Sequence, residues 1–86
     1  VVSEITLTLI GKPGCHLCED ADAVVNSVVQ SLPALSIEVE GKSIEDDADL
    51  FDSYWDQIPV LLINGKVHNY WRIDPVRLTK ALKELS

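Results

Sequence analysis

The segment Gly11-Lys12-Pro13-Gly14-Cys15-His16-Leu17-Cys18-Glu19-Asp20 holds both cysteines of the chain, spaced Cys-x-x-Cys. Upstream, Ile5, Leu7 and Leu9 alternate with Thr6 and Thr8, and Ile10 follows. A period of two predicts a strand, which Gly11 and Pro13 stop. Downstream, Leu17, Ala21, Val24, Val25, Val28, Val29 and Leu32 recur at helical spacing until Pro33 ends the stripe. The thiols therefore sit where a strand passes, through a short turn, into the start of a helix. Glu19, Asp20 and Asp22 fall in the early turns, where carboxylates complement the positive end of the helix dipole. The valines are mediocre helix formers, so tertiary packing must support this helix.

Beyond Pro33, Leu35, Ile37 and Val39 alternate with Ser36, Glu38 and Glu40, predicting a second strand that stops at Gly41-Lys42. Residues 45–55 are acidic but carry Ala48, Leu50, Phe51, Tyr54 and Trp55, which predicts a short helix facing the sheet through those groups. Ile58-Pro59 opens the apolar run Val60–Ile63, read as a strand buried on both faces. Asn64-Gly65 and the extended segment Lys66–Trp71 complete a hairpin signal. Asp74-Pro75 supplies a cap and a first-turn proline for a last helix, with Leu78, Ala81, Leu82 and Leu85 on its buried stripe. The order is βαβαββα. A right-handed parallel crossover followed by an antiparallel hairpin predicts an α/β fold: a four-stranded mixed sheet with helices on both faces.

Eighty-six residues leave room for one small domain, 1–86. The chain is 47% hydrophobic and 24% charged, as folded globular chains are. Its core must be mainly aliphatic, since only two Trp, two Tyr and one Phe are present. Fourteen acids against seven bases give a formal charge of −7, which disfavours nucleic acid and anionic lipid as partners. Much of the acid lies between Glu38 and Asp56, read as a solvated face. No apolar run approaches the roughly 18 residues that a membrane span needs. The opening Val1–Ile10 lacks the features of a secretory signal, so a cytoplasmic location is expected.

Three chemistries compete for the cysteine pair. A disulfide across this spacing closes a very small ring and adds little stability through loop entropy, so a purely structural bridge is the weakest reading. Tetrahedral zinc needs four ligands, whereas only His16 adjoins the pair and His68 stands alone. Haem attachment wants His where Glu19 stands. A Cu(I) carrier also places Cys-x-x-Cys between a first strand and a first helix, but in a βαββαβ order that ends on a strand. Cu(I) or iron–sulfur carriage is kept as the alternative function. The third reading is redox. At a helix start Cys15 meets unsatisfied N–H groups and the positive dipole end, with Lys12 and His16 adding positive character, and such surroundings favour a thiolate. Cys18, one turn deeper, is within reach of a mixed disulfide formed at Cys15. His16 has a plain solvent-facing role as its competing reading. Pro59 has one too, because a proline opening a strand ordinarily marks only its start.

With these residues in view, the chain resembles the thioredoxin/glutaredoxin superfamily, and most closely the small glutaredoxin-like proteins. The resemblance rests on Gly11-Lys12-Pro13-Gly14-Cys15-His16-Leu17-Cys18-Glu19-Asp20-Ala21 and on Gln57-Ile58-Pro59-Val60-Leu61-Leu62, in this element order, and spans Ile5 to Leu85. It implies a thiol–disulfide oxidoreductase with Cys15 as nucleophile and Cys18 as resolving thiol. It implies that Lys12 supports the thiolate and approaches a glutathione carboxylate, that Pro59 is cis, and that Ile58 offers its backbone to the bound thiol substrate. The implied partners are protein or small-molecule disulfides, with glutathione or a reductase as electron source, acting on a monomer with no bound cofactor beyond glutathione as co-substrate. The sequence departs from the glutaredoxin pattern at His16 and Leu17, and carries Trp71-Arg72-Ile73-Asp74 in place of a Gly-Gly segment before the last helix. Trp71 and Arg72 are the alternative lining of the substrate groove.

Overall fold

The computed structural model describes residues 4–85. Its elements are β1 (Ile5–Gly11), α1 (His16–Ser31), β2 (Ile37–Ser43), α2 (Ala48–Tyr54), β3 (Val60–Ile63), β4 (Lys66–Tyr70) and α3 (Pro75–Leu85). The strands lie in the order β2-β1-β3-β4. β1 runs parallel to β2 and antiparallel to β3, and β3 and β4 form the antiparallel hairpin. This is the expected βαβαββα arrangement, a four-stranded mixed sheet in a thioredoxin-like fold. After β2 the chain enters a helix, α2, where the copper-carrier order βαββαβ has a third strand.

Alternation along β1 divides the core. Ile5, Leu7 and Leu9 join Leu61 and Ile63 beneath Ala21, Val25 and Val28 of α1 and Leu78 and Leu82 of α3. Leu7, Val25, Leu61, Leu78 and Leu82 are fully enclosed. Each such side chain contributes about 1.5–3 kcal/mol by leaving water, which offsets the weak helix propensity of the valine-rich α1. Ile10 faces the other way, with Ile44 and Val60, under half-buried Leu50, Tyr54, Ile58 and Leu62. β3 is enclosed as its apolar run predicts, because β1 and β4 flank it and helices cover it.

Two local readings are revised, and one irregularity joins them. β2 does not stop at Gly41-Lys42 but continues to Ser43, because Gly41, Lys42 and Ser43 pair with Leu9, Ile10 and Gly11. In-register hydrogen bonding outweighs the poor strand propensity of Gly. α2 forms where expected, with the Asp47 carboxylate accepting from the Asp49 and Leu50 N–H groups. Only Leu50 and Tyr54 of its expected contact groups pack on the second core, while Phe51 and Trp55 turn outward. Seven residues make two turns, too few to bring every apolar side chain onto one face. Finally, the β3–β4 register shifts between Leu61 and Leu62, which pair with Asn69 and Val67, so His68 is the extra residue of a bulge.

The hairpin turn follows its sequence signal. Asn64 and Gly65 both have positive φ, 51° and 84°, the requirement of the tight turn that matches strand twist. Asn64 is tied to β1 as well: its N–H donates to the Thr6 carbonyl at 2.8 Å and its Oδ1 accepts from the Thr6 N–H at 2.9 Å.

Candidate active site

Cys15 is the N-cap of α1. Its backbone is extended (φ −91°, ψ 114°), its carbonyl accepts from the Glu19 N–H at 3.1 Å, and its Sγ accepts from the Cys18 N–H at 3.2 Å. The sulfur thus takes the place that a Ser or Asp oxygen holds in ordinary caps, serving one of the unpaired donors of the first turn. Gly14, at φ +76°, makes the turn that delivers it. Both cysteines are free thiols and half-buried.

Cys18 lies one turn along the helix against the end of β1. A Cβ added to Gly11 would come within 2.8 Å of Cys18 Sγ and 3.1 Å of its Cβ. Glycine at the strand end is therefore what lets this thiol seat; the sequence marks Gly11 only as a strand stop. Burial pushes the Cys18 thiol up to about 11, helped by its side-chain hydrogen bond with Cys15 and the charge of that sulfur. The Lys12 backbone N–H and ammonium act in the opposite direction. Lys12, read from sequence as support for Cys15, acts here on Cys18. It lines an open recess with Leu9, Gly11, Cys18, Lys42 and Asp46.

His16 projects into solvent with its side chain 98% exposed, and its Nδ1 lies 3.8 Å from Glu19 Oε2. The solvent-facing reading describes where it sits. The Ile58–Pro59 bond is cis. Pro59 is fully buried and Ile58 half-buried. The register places them at the thiol end of the sheet, since Val60 pairs with Ile10 one residue before Gly11. The Pro59 carbonyl accepts from the Trp71 N–H at 2.8 Å.

On the other flank of the α1 start, Leu17, Asp20, Ala21, Val24, Trp71, Arg72 and Ile73 line a cleft of about 270 Å³. Trp71 and Arg72 thus share a cleft with Leu17 of the first turn of α1, and neither cysteine is among its lining residues. A larger cleft of about 670 Å³ between α1 and α3 contains neither cysteine. Among the described residues, no group of three or more His, Cys, Asp and Glu side chains is placed to hold a metal ion. No helix among the described residues is long and apolar enough to cross a membrane.

Comparison with known proteins agrees with the fold. Residues 6–83 match the family model described as Glutaredoxin-like domain (DUF836). An uncharacterized protein of Mycobacterium tuberculosis is 25% identical over 79 residues, 90% of this chain and 81% of that one. Among solved structures, a protein of Nitrosomonas europaea superposes with a TM-score of 0.72 at 26% identity, covering 95% of each chain. A protein from X. campestris does so with 0.62 at 29% identity, covering 91% of this chain and 96% of that one. Mitochondrial thioredoxin 3 of Saccharomyces cerevisiae, at 14% identity and TM-score 0.65 over 93% of this chain and 77% of its own, shares the fold. With a cysteine-capped first helix on a four-stranded mixed sheet, and a family match over nearly its whole length, the chain belongs to the glutaredoxin-like domain family.

Proposed function

We propose that this protein is a thiol–disulfide oxidoreductase, within the general thiol redox role that its family and fold support. The observation that carries the reading is Cys15 Sγ at the α1 cap, accepting the Cys18 N–H at 3.2 Å. An N–H aimed at sulfur, at the positive end of a sixteen-residue helix, is the contact a thiolate prefers.

In the forward reaction the Cys15 thiolate attacks one sulfur of a substrate disulfide. A Cys15–substrate disulfide forms, and the second substrate sulfur leaves as thiolate. Cys18 gives up its proton, attacks Cys15 Sγ, and expels the remaining substrate thiolate. The Cys15 and Cys18 pair is oxidised by two electrons, the substrate disulfide is reduced to two thiols, and the protons lost by the cysteines are matched by those the substrate thiolates take up. The raised Cys18 suits a thiol that stays protonated until Cys15 is consumed. Substrates are peptide or small-molecule disulfides in a reducing compartment such as the cytoplasm, with glutathione or a reductase restoring the dithiol and no resident cofactor.

Iodoacetamide at pH 7 tests this directly. Burial holds the Cys18 thiol well above its ordinary value, so carbamidomethylation goes to Cys15 first. Cys15→Ser abolishes disulfide exchange, and Cys18→Ser accumulates the substrate mixed disulfide detectable by intact mass. Equal, slow labelling of both cysteines, with no trapped species in Cys18→Ser, would sink the proposal.

A further inference from the structure

Trp71 has a backbone conformation that its type rarely adopts, at φ +64°. Its N–H donates to the Pro59 carbonyl at 2.8 Å and its indole Nε1–H to the Asp56 carbonyl at 2.9 Å. Tyr70 meets its ring edge-on, with centroids 5.0 Å apart and planes at 79°. The backbone N–H and the indole Nε1–H are thus both engaged and the ring meets a neighbouring ring, yet the residue remains 54% exposed. A tryptophan retained for the core would be buried; this one is held rigidly at the surface, where such local strain accompanies binding sites. It lines the cleft beside the Cys15 end of α1, with Leu17, Val24 and Ile73 supplying apolar surface and Asp20 and Arg72 the charges.

Building on the exchange reaction above, we infer that Trp71 is a specificity-determining residue. It selects polypeptide disulfides that carry an apolar side chain next to the reacting cysteine, in preference to glutathione disulfide. At about 270 Å³ the cleft is smaller than the roughly 300–1,000 Å³ typical of small-molecule pockets, and suits one large side chain. Charge points the same way. Glutathione disulfide is a net anion with several free carboxylates, whereas this cleft offers one guanidinium beside one carboxylate, on a chain of formal charge −7. A polypeptide flank presents neutral backbone and one apolar group to Trp71 and Leu17.

The test uses the reduced full chain and three probes: a short disulfide-linked peptide with Leu beside its cysteine, the same peptide with Ser there, and glutathione disulfide. Second-order rate constants for their reduction are compared. The Leu peptide is expected to react about tenfold or more faster than the other two, the scale on which an apolar pocket discriminates. Trp71→Gly, which accepts the positive φ, should bring the Leu-to-Ser ratio close to one, and Trp71→Phe should keep most of it. If Trp71→Gly does not fold, Leu17→Ser on the same cleft makes the same comparison. Equal rates for all three probes, glutathione disulfide as the fastest, or an unchanged ratio in the variants would overturn the inference and leave the exchange reaction standing. A wild type that reduces none of the probes would remove the exchange reaction itself.

Discussion

Replacing Gly11 with alanine sets two effects of opposite sign against each other. In a strand, alanine is favoured over glycine by about 0.5–1 kcal/mol, because the unfolded chain loses freedom it would otherwise have to give up on folding. Against this stands the new methyl group, 2.8 Å from Cys18 Sγ and 3.1 Å from Cys18 Cβ. Rotation about Cα–Cβ moves only the sulfur. The Cβ contact is fixed by the α1 backbone, so the helix start must shift, and overpacking of this kind costs about 1–3 kcal/mol. The clash therefore outweighs the gain by up to roughly 2.5 kcal/mol. At a urea dependence of about 1 kcal/mol per molar, the midpoint of the reduced protein should fall by up to roughly 2.5 M. Gly41→Ala is the control: it lies in the exposed strand β2, no atom lies within 4 Å of its added Cβ, and its φ is ordinary. It should leave the midpoint unchanged or raise it. The displaced sulfur should also resolve mixed disulfides more slowly in Gly11→Ala, read by acid quench and mass spectrometry. If Gly11→Ala and Gly41→Ala shift the midpoint in the same upward direction, the close seating of Cys18 on the strand end is wrong.

Two further outcomes follow from groups outside the thiol pair. His68 sits in the β4 bulge with its Nε2 buried and unpartnered, and burial, with Arg77 nearby, holds its pKa below 6.5. Between that lowered value and 6.5 the unfolded chain binds a proton that the folded one refuses, so stability is full above about 6.5 and declines as pH falls. Urea midpoints from pH 7 down to 5 should show this slope, and His68→Leu should flatten it; an equal slope in the variant refutes the assignment. Asp74 Oδ1 accepts the Val76 and Arg77 N–H groups at 2.9 and 3.3 Å, so Asp74→Ala should cost about 1 kcal/mol in chemical denaturation while Asp74→Asn keeps most of it.

Much of this molecule was legible in the order of its residues. Alternation in Ile5–Ile10, the helical stripe from Leu17 to Leu32, the Asn64-Gly65 turn and the Asp74-Pro75 cap are local signals, set by backbone sterics and by side chains a few residues apart. They place Cys15 at a helix cap without any knowledge of the rest of the chain. Other features depend on partners distant in sequence. β2 runs through Gly41 because Leu9 lies beside it, and Phe51 and Trp55 face water because a two-turn helix can lay only one side on Ile10 and Val60. The proximity of Gly11 to Cys18, and of Trp71 to Leu17, likewise has no counterpart in periodicity. Local chemistry determined which thiol caps the helix. Only the packing of α1 on the sheet, which closes distances between residues far apart along the chain, decided how deeply its neighbour is buried and what wall stands beside it.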